Sequence, residues 1–120
     1  MALRVVDLEA AERFYVGVLG LSVEWRPDPD NVYLTSGSDN LALHRHAGTH
    51  ADPDGALDHL GFVVPRPEDV DSWASHLGEA GFPPAAGPKT HRDGARSLYV
   101  RDPAGNVVQI IYHPPIAAYV

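Results

Sequence analysis

The chain contains no cysteine, one methionine and one lysine, Lys89. The absence of cysteine excludes disulfides, thiolate metal sites and thiol nucleophiles together, and it suits a cytoplasmic protein. It leaves His, Asp, Glu and Gln as the metal-ligating residue types. No stretch reaches the 18 or so consecutive apolar residues of a membrane helix. The opening segment, MALRVVDLEAAERFY, lacks the apolar run and cleavage site of a signal peptide. Positive charge is scarce. A formal net charge of −7 and eight dispersed arginines argue against nucleic acid, whose phosphates require clustered Lys and Arg.

Apolar residues make up 44% of the 120 positions, enough for a packed interior in one domain or two small modules. The first half reads as strand, helix and three strands. Ala2 to Val6 form a strand and Asp7 caps a helix. Leu8, Ala11, Tyr15, Val18 and Leu19 share the apolar face of that helix, and Gly20 ends it. LSVEWR, VYLTS and LALHRH follow as strands separated by PDPDN and GSDN turns. AGTHADPDGA, rich in small and turn-forming residues, is a linker.

The second half repeats the pattern. DHLGFVV begins a strand, and PRPEDVDSWASHLGEAGF is a helix with Pro67, Glu68 and Asp69 at its start. Its apolar face is Val70, Trp73, Ala74 and Leu77, and Gly81 stops it. PPAAGPKT makes at most an edge strand because of its prolines. ARSLYVR and NVVQIIYH form a hairpin through Asp102, Pro103, Ala104 and Gly105. The expected organisation is a first βαβββ module over 1–46, a linker over 47–57, a second βαβββ module over 58–114 and a tail over 115–120, an α+β fold. Aligning the strands that precede the helices pairs Leu3 with Phe62. His59 then corresponds to a position one residue ahead of Met1.

The polar exception in the last strand is Gln109. Val108 and Ile110 point one way, whereas Val107, Gln109 and Ile111 point the other. An amide in a row of aliphatic residues is either a satisfied polar group lining a pocket or a ligand. His59 stands beside the start of a strand, and its alternatives are a site residue or a hydrogen-bonded core histidine. His44 and His46 lie two apart on one strand face, with His46 read as solvated. His50 is a loop residue and His76 lies on the polar side of the second helix. Trp25 can line a concave site and suits a planar or apolar ligand, and Phe14 and Tyr15 are module core. Asp102, Pro103, Gly105 and Asn106 shape a turn.

The combination LRVVDLEAAERFYVGVLGL, DHLGFVV and RSLYVRDPAGNVVQII resembles the vicinal oxygen chelate superfamily, which includes glyoxalase I, extradiol dioxygenases, fosfomycin-resistance transferases and bleomycin-binding proteins. The resemblance spans about Ala2 to His113. It implies two βαβββ modules whose curled mixed sheets enclose a concave site, and a homodimer. It also implies a divalent metal held by first-strand and last-strand residues of each module, acting as a Lewis acid. On this pattern His59 and Gln109 are metal ligands, Ala42 replaces the acidic residue of the first module, and His44, two residues on, can substitute. Tyr99 points into the pocket and His91 lies in a loop over it, so both are catalytic candidates. Trp25, Lys89 and Arg92 are substrate-binding candidates; the last two resemble phosphonate-contacting residues, although the accompanying loop motif is missing. The metal expected is Zn, Ni, Mn or Fe, or none. Two functions follow: a metal-dependent enzyme acting on a small oxygenated molecule, placed first, and a metal-free small-molecule binding protein of the bleomycin-resistance type.

Overall fold

A computed structural model describes residues 1–48 and 55–120. The expected loop residue His50 and most of the expected linker lie outside the described residues. The chain divides into two compact units, residues 1–55 with 102–105, and residues 56–101 with 106–120.

In the first unit, β1 (Ala2–Val5) leads to α1 (Leu8–Glu12), whose first turn is capped by the Asp7 carboxylate accepting from the Ala10 N–H at 3.0 Å. The helix does not continue as the expected regular α-helix. It widens into a π-helical stretch, Arg13–Val18, in which the Leu19 N–H reaches back five residues to Phe14 O at 2.9 Å. The smaller rotation per residue turns two adjacent aromatic side chains inward together. Phe14 and Tyr15 are 1% and 0% exposed and meet edge to face, while Val18 is left half-buried. Gly20 ends the helix at φ +85°, a conformation that disfavours any residue with a Cβ.

Three antiparallel strands follow, β2 (Ser22–Asp28), β3 (Asn31–Thr35) and β4 (Leu41–Arg45). The sheet order is β1-β4-β3-β2, with β1 parallel to β4. Alternation places Leu3, Val5, Val32, Leu34, Leu41 and Leu43 in the core. The outer strand β2 carries Pro27 and two register irregularities, features of a strand with one unpaired edge.

In the second unit, β5 (Leu60–Val63) precedes α2 (Pro67–Glu79). Pro67 occupies the first turn, and Asp69 Oδ2 accepts from the Arg66 N–H at 3.0 Å. The strands β6 (Ala86–Thr90), β7 (Arg96–Arg101) and β8 (Val107–Tyr112) complete a sheet of order β5-β8-β7-β6, again with its first strand parallel to its last. Helix α2 packs over β8 and β7, covering Leu98, Val100, Val108 and Ile110 with Val70 and Leu77; Trp73 and Ala74 are half-buried at the margin. The proline-rich segment does pair, as the edge strand β6. It comes so close to β7 at Gly87 (φ +78°) that a Cβ there would lie 2.6 Å from the Ser97 carbonyl oxygen. A 3₁₀ turn, Pro114–Tyr119, closes the described chain. None of the described helices is long and apolar enough to cross a membrane.

The registers agree with the alignment of Leu3 with Phe62. Ala2 pairs with Ala42 and Ala42 with Tyr33, while Gly61 pairs with Gln109 and Gln109 with Tyr99. Ala42 and Gln109 are therefore equivalent positions of the two repeats, and so are Tyr33 and Tyr99.

Candidate ligand-binding site

The faces turned away from the two helices carry the polar and aromatic side chains that the sequence singles out. In the second unit, strand pairing sets Gly61, Gln109 and Tyr99 side by side on that face. The Gln109 amide donates from Nε2 to the Tyr99 hydroxyl at 3.2 Å. Gly61 leaves room for it, because a Cβ at this position would lie 3.3 Å from Gln109 Oε1. His59 stands immediately before β5, one residue short of the strand, and its ring meets Tyr99 edge to face at 5.6 Å and 82°. Its Nδ1 lies 2.7 Å from Asp58 Oδ2. In the neutral ring, a proton on Nδ1 donated to this carboxylate leaves the Nε2 lone pair free. His59, Tyr99 and Gln109 thus form one cluster of an imidazole, a phenol and an amide.

Two residues along β7, on the same face, Ser97 is 2% exposed and its Oγ lies 3.0 Å from His91 Nε2. Lys89 is the register partner of Ser97 on β6. Lys89, Thr90, His91, Arg92 and Asp93 line an open depression of about 570 Å³. The sequence candidates Lys89, His91 and Arg92 therefore share one surface feature.

In the first unit, a register shift in β2 brings Trp25 opposite Tyr33. The two rings stack at 5.2 Å with 23° between their planes, and Tyr33 meets His44 edge to face at 6.0 Å. Trp25 is 59% exposed, a large planar surface left uncovered. His44 Nδ1 lies 2.6 Å from Asn31 Oδ1, and Asn31 Nδ2 donates to Asp28. The Asn31 amide, with the Asp30 N–H, holds the Asp28 carboxyl below its ordinary range. Ala42 supplies no donor where the second unit has Gln109.

The superfamily pattern implies a divalent metal, and the donors can be tested against it. His59 Nε2 and Gln109 Oε1 are two neutral donors within the second unit, and His44 belongs to the first. No group of three His, Asp or Glu side chains among the described residues is arranged to hold a metal ion. A divalent centre draws most of its affinity from deprotonated or imidazole ligands in sufficient number. The set assembled within either described unit does not meet that requirement.

Several contributing residues were not anticipated from the sequence. Asp58 engages His59, Ser97 engages His91, and Asn31 engages His44. Ser97 was detectable in principle, because it alternates with Tyr99 on β7. Asp102 was expected only to shape its turn, and Tyr15 only to fill the core. The turn groups with the first unit, where buried Asp102 accepts a 2.6 Å hydrogen bond from the Tyr15 hydroxyl. Burial and the neighbouring Asp102 carboxylate push the Tyr15 phenol well above its ordinary range, so it stays a donor.

Comparison with known proteins identifies relatives of this architecture. The family model for the Glyoxalase/Bleomycin resistance protein/Dioxygenase superfamily matches residues 1–110. No curated protein matches the chain by sequence. Among solved structures, a lactoylglutathione lyase from Agrobacterium tumefaciens is 28% identical with a TM-score of 0.78, over 93% of this chain and 90% of that one. A glyoxalase/dioxygenase from Nostoc punctiforme is 26% identical with a TM-score of 0.78, over 95% and 88%. An integron cassette protein from the mobile metagenome of Halifax Harbour sewage outfall, 22% identical, shares the fold with a TM-score of 0.80 over 94% and 95%.

Proposed function

Because the chain belongs to the Glyoxalase/Bleomycin resistance protein/Dioxygenase superfamily, we propose that it binds a small oxygenated organic molecule against His59, Tyr99 and Gln109 without requiring a metal. The observation that carries this reading is the cluster itself. The Gln109 amide is committed to the Tyr99 hydroxyl, and both adjoin the His59 ring. An amide oxygen, a phenol and an imidazole nitrogen can each hydrogen-bond a hydroxyl, carbonyl or ether oxygen, and the aromatic faces of Tyr99 and His59 can cover a flat ring. Trp25, stacked on Tyr33 in the first unit, offers a second surface suited to aromatic groups. In this reading Lys89 and Arg92 also contact the ligand, and the protein is a homodimer, which sedimentation tests.

One observation favours a second reading, a metal-dependent enzyme of the glyoxalase or dioxygenase kind. Asp58 holds His59 Nδ1 in the way that a carboxylate commonly orients a metal-binding imidazole. Such an enzyme would use His59, Gln109 and His44 as ligands, with Tyr99 and His91 orienting the substrate. The metal would supply a Lewis acid for substrate oxygens.

Elemental analysis of the purified protein separates the two readings, followed by thermal-shift measurements as zinc, nickel, manganese or iron is returned to a chelated sample. The binding reading expects no retained metal and no shift. One tightly held ion per chain, lost in His59→Ala, overturns it in favour of the enzyme. Under the second reading Gln109→Glu raises divalent-ion affinity by adding an anionic donor.

A further inference from the structure

The open face of the first sheet carries a hydrogen-bonded row, Asp28, Asn31 and His44. Asn31 lies two residues from Tyr33 on β3, so the two share that face, and strand pairing sets His44 on one side of Asn31 and Asp28 on the other. Asn31 Nδ2 donates to both oxygens of the Asp28 carboxylate, at 2.9 and 3.0 Å. The amide is not free to turn round, because its carbonyl oxygen would then face a carboxylate. Asn31 Oδ1 is therefore the atom that meets His44 Nδ1 at 2.6 Å, and an acceptor there requires the imidazole proton on Nδ1. The Nε2 lone pair of His44 is left over, with no hydrogen-bond partner among the described residues. Half-buried His44 still opens that atom to solvent, since no buried side-chain nitrogen or oxygen among the described residues lacks a partner. Arg4, the register partner of His44 on β1, is exposed, and no hydrogen bond joins the two.

Beside this row stand Tyr33 and Trp25. Val23 pairs with Leu34 on the core side, and strict alternation would send Trp25 the same way. The register shift between Val23 and Trp25 turns the indole instead onto Tyr33, where it stacks, while Tyr33 meets the His44 ring at 6.0 Å. We infer that the first unit binds a flat ring bearing an N–H or O–H donor, the ring packing on the Tyr33–Trp25 pair and the donor bonding to His44 Nε2. Asn31 and Asp28 are positioning residues, because they fix which imidazole nitrogen accepts. The inference extends the aromatic surface of Trp25 named above, and it calls on neither a metal nor the His59 cluster. A ring of the same shape without its donor leaves Nε2 desolvated and unpaired, so the site discriminates against it.

NMR of the full chain tests this with indole and 1-methylindole, which differ only in the N–H donor. Saturable shifts are expected with indole at Trp25, Tyr33 and His44, and 1-methylindole should bind roughly 2- to 10-fold more weakly, the value of one neutral hydrogen bond. His44→Phe keeps a ring on the sheet and should abolish that preference. Trp25→Ala should weaken both probes, and this side chain is 59% exposed, so the core is untouched. Imidazole nitrogen shifts at alkaline pH, where imidazoles are neutral, read the positioning directly. The wild-type His44 ring should carry its proton on Nδ1. Asn31→Ala should mix the two tautomers and reduce the preference for indole. Asp28→Asn, in which residue 28 can offer Asn31 either a carbonyl or an amine, should do the same to a smaller degree. A purely structural role for Asn31 and Asp28 would leave the tautomer unchanged. No saturable indole shift in the first unit, equal binding of the two probes, or a wild-type ring protonated on Nε2 overturns the inference.

A parallel titration with hydroxyacetone, which is oxygenated but has no ring, reads the His59 cluster independently. Hydroxyacetone shifts at Gln109 and Tyr99 without any indole response leave the binding reading standing and remove the first-unit site. Indole shifts that depend on His44, with no response of the cluster to an oxygenated probe, support the first-unit site and remove the binding reading.

Discussion

Replacing Tyr15 by phenylalanine removes one oxygen from a side chain that is 0% exposed, and with it the 2.6 Å hydrogen bond to Asp102 Oδ2. Asp102 is itself 4% exposed, so water cannot readily replace the lost donor. Its other carboxylate oxygen keeps the Ala104 N–H at 2.9 Å, and the ring of residue 15 keeps its packing against Phe14. What is lost is one buried hydrogen bond to an ionised acceptor, worth about 1.5–3 kcal/mol. For a chain of this size that corresponds to a fall in Tm of roughly 5–12 °C. Urea denaturation of Tyr15→Phe should show a lower midpoint with an unchanged slope, because the surface exposed on unfolding is the same. Asp102→Asn retains an acceptor oxygen for the phenol but gives up the charge, so its loss should be smaller than that of Asp102→Ala. A Tyr15→Phe protein within about 0.5 kcal/mol of the wild type would refute the reasoning. It would mean that the carboxylate finds another donor at no cost.

Two further outcomes follow from the same geometry. Gly87→Ala combines an unfavourable positive φ with a Cβ 2.6 Å from a backbone oxygen, so it should destabilise by more than about 1 kcal/mol and broaden or shift the amide resonances of β6. Acid should destabilise the protein in a defined window. Hydrogen bonds from Arg45 hold Glu9 down at about 2, and bonds from Asn31 and Arg96 hold Asp28 and Asp71 below their ordinary values. Groups with lowered folded-state values bind protons more readily when unfolded. Their contribution is therefore complete above the unfolded carboxylate range near pH ~4 and is lost as pH falls through the lowered folded values, that of Glu9 lying at about 2. Thermal melts across that range at low salt should show Tm declining with pH, with a smaller decline at high salt for the exposed pairs; a flat profile contradicts the assignment.

Much of the fold was legible because its signals are local. Asp7 caps α1 and Pro67 opens α2, as those residue types at those places predict. Gly20, Gly81 and Gly105 take positive φ at the ends expected of them. The alternation around Gln109 located the buried face of β8, and the repeat alignment reproduced the strand register through Leu3 and Phe62. Phe14 and Tyr15 were legible as core, but the π-helical turn that carries them was not, since the sequence reading assumed a regular α-helix up to Gly20.

The candidate site divides along the same line. Gln109 stood out as the polar exception in its strand, and the family resemblance singled out His59 and Tyr99; sheet pairing sets Gln109 beside Tyr99, whose ring meets His59 edge to face. The partners that define their chemistry lay beyond the pattern. Nothing in the spacing of Asp58, Ser97 and Asn31 fixes which ring nitrogen each will meet, because that depends on side-chain rotamers chosen in the packed state.

The sequence by itself determined the duplicated βαβββ order, the helix limits and the faces on which the polar residues lie. These follow from hydrophobic period, capping and glycine conformations, all of which act over a few residues. Only the tertiary structure decided that Tyr15 bonds to a carboxylate 87 residues away, that Gln109 spends its amide on Tyr99, and that His91 meets the buried Ser97 hydroxyl. Such pairings form when distant segments are packed to within 3 Å or so of one another, and burial then fixes which donors and acceptors remain to satisfy each other.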